Sequence, residues 1–533
     1  GWTFPLPVGT PPPGGQVALS TDFEEGLDGW EPRAAEGGPP VVEIVTDPVH
    51  GGAQAAMVTQ RPDEGAGIRH EVTGILQPGV TYELTAWLRF ADDGPVGDIW
   101  LSAEGNNPGE PASFSTLGQF TDMSRTEWVQ VTQRFTLGEF ERTWIYFETA
   151  YQVPNQTTFY IDDIVVSTPA PAVIQDLVPI HETVDFPVGV AVDSRETLGA
   201  PAQLTLKHFT QLTAENHMKP EAWYDGERNF RINPEAKALM DFAQENGLRM
   251  YGHVLVWHSQ TPDFLFQTDG GTPLTSNPAD QEILRERLRT HIFAIAQNLH
   301  DTYGDFGSET NPLVAWDVVN EVVSDSGDNP DGLRRSEWFR ILGEEFIDLA
   351  FHYADEAFNE LYAAPGADRP VKLFINDYNT EQSGKQQRYR ALVDRLISRG
   401  VPIDGVGHQF HVSLAMPVTA LQDALEAFED TGLLQAVTEF DVTTGTPVTQ
   451  AKLVDQGYYY RDAFRIFRDF QQRTGEMFSV TVWGLNDGRS WRNSNGAPLV
   501  FDDGMQAKPA YYGIVDSALP APLRTANVFR ADI

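Results

Sequence analysis

VAWDVVNE (314–321) is a short apolar run that ends in a carboxamide and an acid. A run this short and this rich in valine reads as a strand buried on both faces, because a half-exposed strand alternates with polar residues. Seven more stretches share the texture: FPVGVAV (186–192), LTAEN (212–216), MYGHVLVW (250–257), VKLFIND (371–377), GVGHQFHV (405–412), AVTEFDV (436–442) and SVTVWGL (479–485). Helical patterns fill the intervals, among them PEAKALMDFAQENG (234–247), DQEILRERLRTHIFAIAQNLH (280–300), EWFRILGEEFIDLAFHYADEAF (337–358) and KQQRYRALVDRLISRG (385–400). Eight strands alternating with helices predict a (β/α)8 TIM barrel. A doubly wound open sheet is the alternative, but no glycine-rich phosphate loop follows the first strand, which argues against nucleotide use.

Upstream the texture changes. TYELTAWLRF (81–90), EWVQVTQRFTL (127–137), TWIYFETA (143–150) and TFYIDDIVV (158–166) place apolar residues at alternate positions, the signature of half-buried strands. Residues 17–166 are therefore expected to form an all-β sandwich of the jelly-roll type. The Pro/Gly-rich residues 1–16 read as a flexible leader, and 167–176, opening with STPAPAV (167–173), as a linker. The segment 519–533 reads as a tail without an assigned purpose.

The chain has 533 residues, 41% hydrophobic and 11% aromatic, enough for more than one packed core. It contains no cysteine, which excludes disulfides, thiolate metal sites and a cysteine nucleophile. No run of about 18 apolar residues occurs, so a membrane span is not expected. The net charge is −39, of which residues 1–175, with 24 acidic and 7 basic side chains, contribute −17. Acid spread this evenly repels phosphates, so neither nucleic acid nor an anionic membrane is an expected partner. It also suits a surface kept hydrated in concentrated salt.

The predicted strands end in polar or aromatic residues: Glu215–Asn216, His253 and Trp257, Asn320–Glu321, Asn376–Asp377, Gln409 and His411, Glu439 and Asp441, and Trp483. Any one such carboxylate is more often a helix cap or a surface ion pair. Together they line the rim where barrels build active sites. Two acids with carboxamides, histidines and indoles suit glycoside hydrolysis, in which one group protonates the leaving oxygen and another attacks or activates water. There is no HExxH for zinc and no G-x-S-x-G for a serine nucleophile.

ENHMKPEAW (215–223), GHVLVWHSQTP (252–262), WDVVNEVV (316–323), LFINDYN (373–379), GVGHQFHV (405–412), VTEFDV (437–442), VWGLNDGRSW (482–491) and KPAYYGIVD (508–516) together resemble the glycoside hydrolase family 10 endo-β-1,4-xylanases, over about 177–518. The resemblance implies a retaining mechanism with Glu321 as acid/base and Glu439 as nucleophile, and no catalytic cofactor. It implies that Asn320 meets the sugar 2-hydroxyl, that His411 contacts Glu439 and that Asp441 orients His411. Glu215, Asn216, Lys219, His253 and Gln409 correspond to polar sugar contacts, and Trp257, Trp483 and Trp491 to an aromatic cage. Gln260 and Trp491 correspond to positions that crowd the sugar C5 substituent and favour xylose. A β-1,4-glucanase of the same clan is the alternative, and a non-catalytic glycan-binding scaffold is disfavoured because both acids are present. His408 and Phe410 are expected to point into the supporting layers by alternation.

STDFEEGLDGW (20–30) and FYIDDIVV (159–166) resemble carbohydrate-binding modules of the family 4/9/22 superfamily, family 22 best. That resemblance implies glycan contacts at Arg33, Trp144 and Glu148 and a structural Ca2+ at Glu24 and Asp162. RPDEGAGI (61–68) lacks the tryptophan expected after Arg61, so glycan binding and a purely stabilising module remain two open readings. The expected partners are xylan and xylo-oligosaccharides, the expected state a monomer, and the expected location extracellular, with any signal peptide already removed.

Overall fold

The computed structural model describes residues 15–170 and 172–516. Residues 1–14 of the expected leader and the whole expected tail lie outside them.

Eleven strands come first: β1 (Gln16–Thr21), β2 (Glu31–Arg33), β3 (Val41–Val45), β4 (Ala55–Thr59), β5 (Gly67–Glu71), β6 (Tyr82–Phe90), β7 (Ile99–Asn106), β8 (Ser113–Phe120), β9 (Val129–Phe135), β10 (Arg142–Thr149) and β11 (Phe159–Thr168). They form two antiparallel sheets, one in the order β3-β4-β11-β6-β9 with β1 on β11, the other β2-β5-β10-β7-β8. Strict alternation puts Leu84, Ala86, Leu88 and Phe90 of β6 between the sheets, against Ile99 and Leu101 of β7 and Ile145 and Phe147 of β10. The sandwich reaches beyond its expected limits at both ends. Gln16 pairs with Thr168, so one residue read as leader and two read as linker belong to the β1–β11 ladder.

Nine strands follow in the barrel: β12 (Val188–Val192), β13 (Gln211–Ala214), β14 (Arg249–Val256), β15 (Leu313–Asn320), β16 (Lys372–Asp377), β17 (Gly405–His408), β18 (His411–Ser413), β19 (Leu434–Thr443) and β20 (Met477–Val482). All pair in parallel, and β17 also pairs with β19, which closes the ring without an edge. The sixth predicted strand is two pieces, because Phe410 turns into the left-handed region at φ 55°. The predicted helix 337–358 is also divided: Gly343, at φ 66°, ends Glu337–Leu342, and Glu345–Ala354 starts anew.

Tyr251, Ala315, Phe374 and Ala436 form a small inner plug, with the Tyr251 and Phe374 rings 5.5 Å apart. One pleat further along the same strands stand His253, Asp317 and Asn376, and there the packing turns from apolar to hydrogen-bonded. His408 is fully buried between Thr380 and Gln435 and stacks on Phe410 at 5.2 Å, so both serve the supporting layer.

Candidate active site

Glu321 is the first residue after β15 and sits at φ 59°. Its N–H donates to the Asn376 carbonyl at 2.9 Å, and its own carbonyl accepts from Arg334 Nε at 2.7 Å. The carboxylate, aimed into the mouth, accepts from Trp257 Nε1 at 3.2 Å, Gln409 Nε2 at 2.9 Å and Asn320 Nδ2 at 3.4 Å. Glu439 lies within β19, which runs four residues past it to Thr443. It is 6% exposed, with Oε1 2.9 Å from His411 Nε2 and Oε2 accepting from Asn376 Nδ2 at 3.1 Å.

Asn320 joins the two acids. Its Oδ1 accepts from Asn376 Nδ2 at 3.0 Å, the same group that holds Glu439. It also accepts from Gln409 Nε2 at 3.2 Å, the same group that holds Glu321. Both carboxyls therefore hang on one carboxamide network across one barrel mouth.

Electrostatics separates Glu439 from an ordinary surface acid. Burial alone would raise the Glu439 carboxyl, but the His411 hydrogen bond and the charges of His253, His411 and Lys219 leave it below its ordinary value. Burial opposes a charge on His411 too, yet Asp441 and Glu439 carry its pKa up to about 10. His411 Nδ1 is 2.9 Å from Asp441 Oδ1, so the imidazolium is clamped between two carboxylates. Burial lowers the Lys219 ammonium, against the pull of Glu439, Glu215 and Glu321.

The remaining sequence-predicted positions join this network. Lys219 Nζ donates to Asn216 Oδ1 at 2.8 Å and Gln260 Oε1 at 3.1 Å, and lies 4.9 Å from the Trp257 ring centroid. Glu215 accepts from Arg489 Nη2 at 3.2 Å. Trp483 is buried with its ring 5.4 Å from His253, whereas Trp491 is 54% exposed and edge-on to His411 at 5.1 Å. Sugar rings bury an apolar face on indoles, and Trp491 is the one of these three that offers an open face.

Several supporting residues had not been singled out. Asp317 receives Tyr251 Oη at 2.7 Å and faces His253 Nδ1 at 2.7 Å, fixing that imidazole. A lone charged residue inside an otherwise apolar strand was the available signal. Arg492 donates to Asp441 Oδ1 at 2.6 Å, Arg489 to Glu196 Oε1 at 2.5 Å, and Arg334 holds the Glu321 backbone. These arginines come from loops, where no periodicity marks them.

In the sandwich, Arg33 Nη1 donates to Glu148 Oε2 at 3.2 Å, and its guanidinium lies 4.1 Å from the Tyr146 ring centroid. Burial raises the Glu148 carboxyl to about 7 despite Arg33. Trp144 shares the face, but Arg69 and Arg142 already lie 4.9 and 4.4 Å from its ring centroid, and Tyr146 stands between it and Glu148. Glu24 and Asp162 hold one loop from two sides: Glu24 accepts from the Ala53 and Gln54 amides, Asp162 from those of His50 and Gly51. Carboxylate oxygens are the donors Ca2+ takes, so these residue types fit. The described trio that converges within 4.8 Å, however, is His50, Asp162 and Asp163, without Glu24. No helix among the described residues is long and apolar enough to cross a membrane.

A family described as Glycosyl hydrolase family 10 matches residues 180–517, and one described as Carbohydrate binding domain matches 15–157. A protein named Endo-1,4-beta-xylanase A from Thermoanaerobacterium saccharolyticum is 34% identical over 95% of this chain and 42% of its own length. The solved structure of TsXylA, described as an intracellular xylanase from the same organism, is 38% identical, covers 64% of this chain and 100% of its own, and has a TM-score of 0.57. The CBM22-1–GH10 modules of Clostridium thermocellum Xyn10B, solved with xylohexaose, are 25% identical over 96% of this chain and 98% of theirs, with a TM-score of 0.56. The chain spans less than half the length of the first curated relatives it matches.

Proposed function

Since the chain belongs to glycosyl hydrolase family 10, we propose that it hydrolyses internal β-1,4-xylosidic bonds of xylan and xylo-oligosaccharides with retention of configuration. One observation carries this reading: Glu321 and Glu439 are tied through Asn320 into a single network at the barrel mouth.

In the first half-reaction Glu439, kept charged by His411, attacks the anomeric carbon, while Glu321 passes its proton to the departing glycosidic oxygen. Attack cancels the Glu439 charge, so Glu321 can then remain ionised and take a proton from the water that releases the sugar. Asn320 stands beside both acids, where a carboxamide meets the 2-hydroxyl as the ring flattens toward the oxocarbenium ion. Gln260, held by Lys219, and Trp491 stand at the positions expected to crowd the C5 substituent, which supports xylose over glucose. The carboxylates need no metal for this chemistry.

Product analysis on xylan tests activity, linkage and endo action together. Release of short oligosaccharides with initially unchanged anomeric configuration is expected, and inverted products would overturn the mechanism. Turnover of carboxymethylcellulose at a rate equal to that on xylan would favour the glucanase reading.

The companion readings are extracellular action, reasoned from a polymer too large to enter a cell, a monomeric state, and activity kept in molar NaCl. A steep loss of both activity and melting temperature on adding salt would end the last of these. We further propose Ca2+ at Glu24 and Asp162: a chelator should lower the melting temperature and added Ca2+ restore it. Affinity electrophoresis of the full chain in xylan, with Glu148→Ala as control, separates a glycan-binding module from a stabilising one.

A further inference from the structure

The edge strand β8 of the sandwich lies against the barrel mouth. At one end Ser113 Oγ is 3.2 Å from His217 Nε2, beside Asn216, and nearby Glu110 pairs with Arg231. At the other end Gln119 reaches the loop that carries Trp491. There its Oε1 accepts from the Ser494 amide at 2.9 Å, and its Nε2 donates to the Trp491 carbonyl at 3.3 Å.

That loop is a short 3-10 turn with a gap in it. Asn493 N–H donates to Ser490 O at 3.2 Å, Asn495 N–H to Arg492 O at 2.9 Å, and Gly496 N–H to Asn493 O at 3.0 Å. The bond belonging between the first two, from Ser494 N–H to Trp491 O, is replaced by the Gln119 carboxamide, which satisfies both backbone groups. A side chain from the other domain thus completes the turn on which Trp491 stands. On its barrel side the same turn is anchored by Arg492 to Asp441, one step from His411 and Glu439.

We propose that the N-terminal sandwich forms part of the substrate cleft wall, and that Gln119 is a positioning residue that sets Trp491 over His411. This rests on the reading of Trp491 as a sugar platform in the proposed reaction. A merely structural contact would affect only stability. A positioning contact instead changes sugar affinity, because Trp491 is exposed and its own carbonyl takes its hydrogen bond from Gln119.

The test uses the full chain labelled with 5-fluorotryptophan, the Trp491 fluorine resonance being assigned through Trp491→Phe. Gln119→Met keeps the length and removes both hydrogen bonds, and Gln119→Ala guards against a packing artefact of the first variant. The resonance is expected to shift or broaden, and KM for xylohexaose to rise about threefold to tenfold with kcat within about twofold, at a similar melting temperature. An unmoved resonance, or an unmoved KM, in both variants overturns the proposal. Absence of xylan turnover by the unaltered protein would sink the assigned reaction alone, since the resonance reports on Gln119 without it.

Discussion

Arg334 donates its Nε hydrogen to the main-chain carbonyl of Glu321, at 2.7 Å, where Glu321 is held at φ 59°. A residue with a Cβ resists that conformation by about 1 kcal/mol or more. Arg334 and the Asn376 carbonyl, which takes the Glu321 N–H at 2.9 Å, hold it there and so aim the side chain across the mouth. Without Arg334 the acid group loses its aim while the nucleophile keeps its own.

Arg334→Met is therefore expected to lower kcat on xylan by about tenfold to a hundredfold, the effect of roughly 1 Å of misplacement. An aryl xyloside with a good leaving group should be far less affected, because it needs little proton donation. Equal losses on the two substrates would count against a positioning part for Arg334.

Glu439→Ala should reduce turnover on every substrate by on the order of thousands-fold or more. Glu321→Ala should do the same on xylan yet spare activated aryl xylosides in the first step. Steady-state rates on both substrate types separate the two acids. Near-normal xylan hydrolysis by either variant is incompatible with the proposed chemistry.

The pH profile depends on His411. Its hydrogen bond is the largest influence holding the Glu439 carboxyl below 4.5 against burial. In His411→Ala burial remains and that influence is gone, so the acid limb of kcat/KM on an activated substrate should move to higher pH. Stability has the opposite edge. His411 titrates at about 10 in the folded chain against an ordinary 6.5, so its contribution is fully present below 6.5 and is lost as pH rises through about 10. Melting temperatures across the alkaline range should fall more steeply in the unaltered protein than in the variant.

Lys385 is a buried cation whose Nζ lies 2.9 Å from Asp377 Oδ1 and 2.8 Å from Asp325 Oδ1. Its side chain is 2% exposed and that of Asp377 0%. Lys385→Met strands the Asp377 charge and is expected to cost about 3–5 kcal/mol. Urea unfolding measures this. A loss below about 1 kcal/mol would mean that Asp377 takes up a proton at little cost instead.

Much of this architecture was legible in one dimension. Alternation in TYELTAWLRF and unbroken apolar runs such as VAWDVVNE follow from the strand repeat of two and from burial on one face or both, properties of the local chain. Where the local rule failed, a left-handed residue was responsible, as at Phe410 and Gly343, since a single dihedral ends an element without changing composition. The rim acids and amides were visible as polar endings on apolar strands. Trp144 follows from the module resemblance, and of the guanidiniums that cover it Arg142 is two positions earlier on the same strand while Arg69 arrives from β5.

The sequence by itself determined the strands, the order in which helices separate them, and which residue types lie near the barrel mouth. Only the tertiary structure decided that Asn320 joins Glu321 to Glu439, that Asp317 fixes His253 and that Gln119 completes the turn under Trp491 across 372 positions. Periodicity is set by backbone geometry over a few residues and leaves a repeat in the text. A hydrogen bond between distant side chains depends on where whole elements come to rest, and it leaves none.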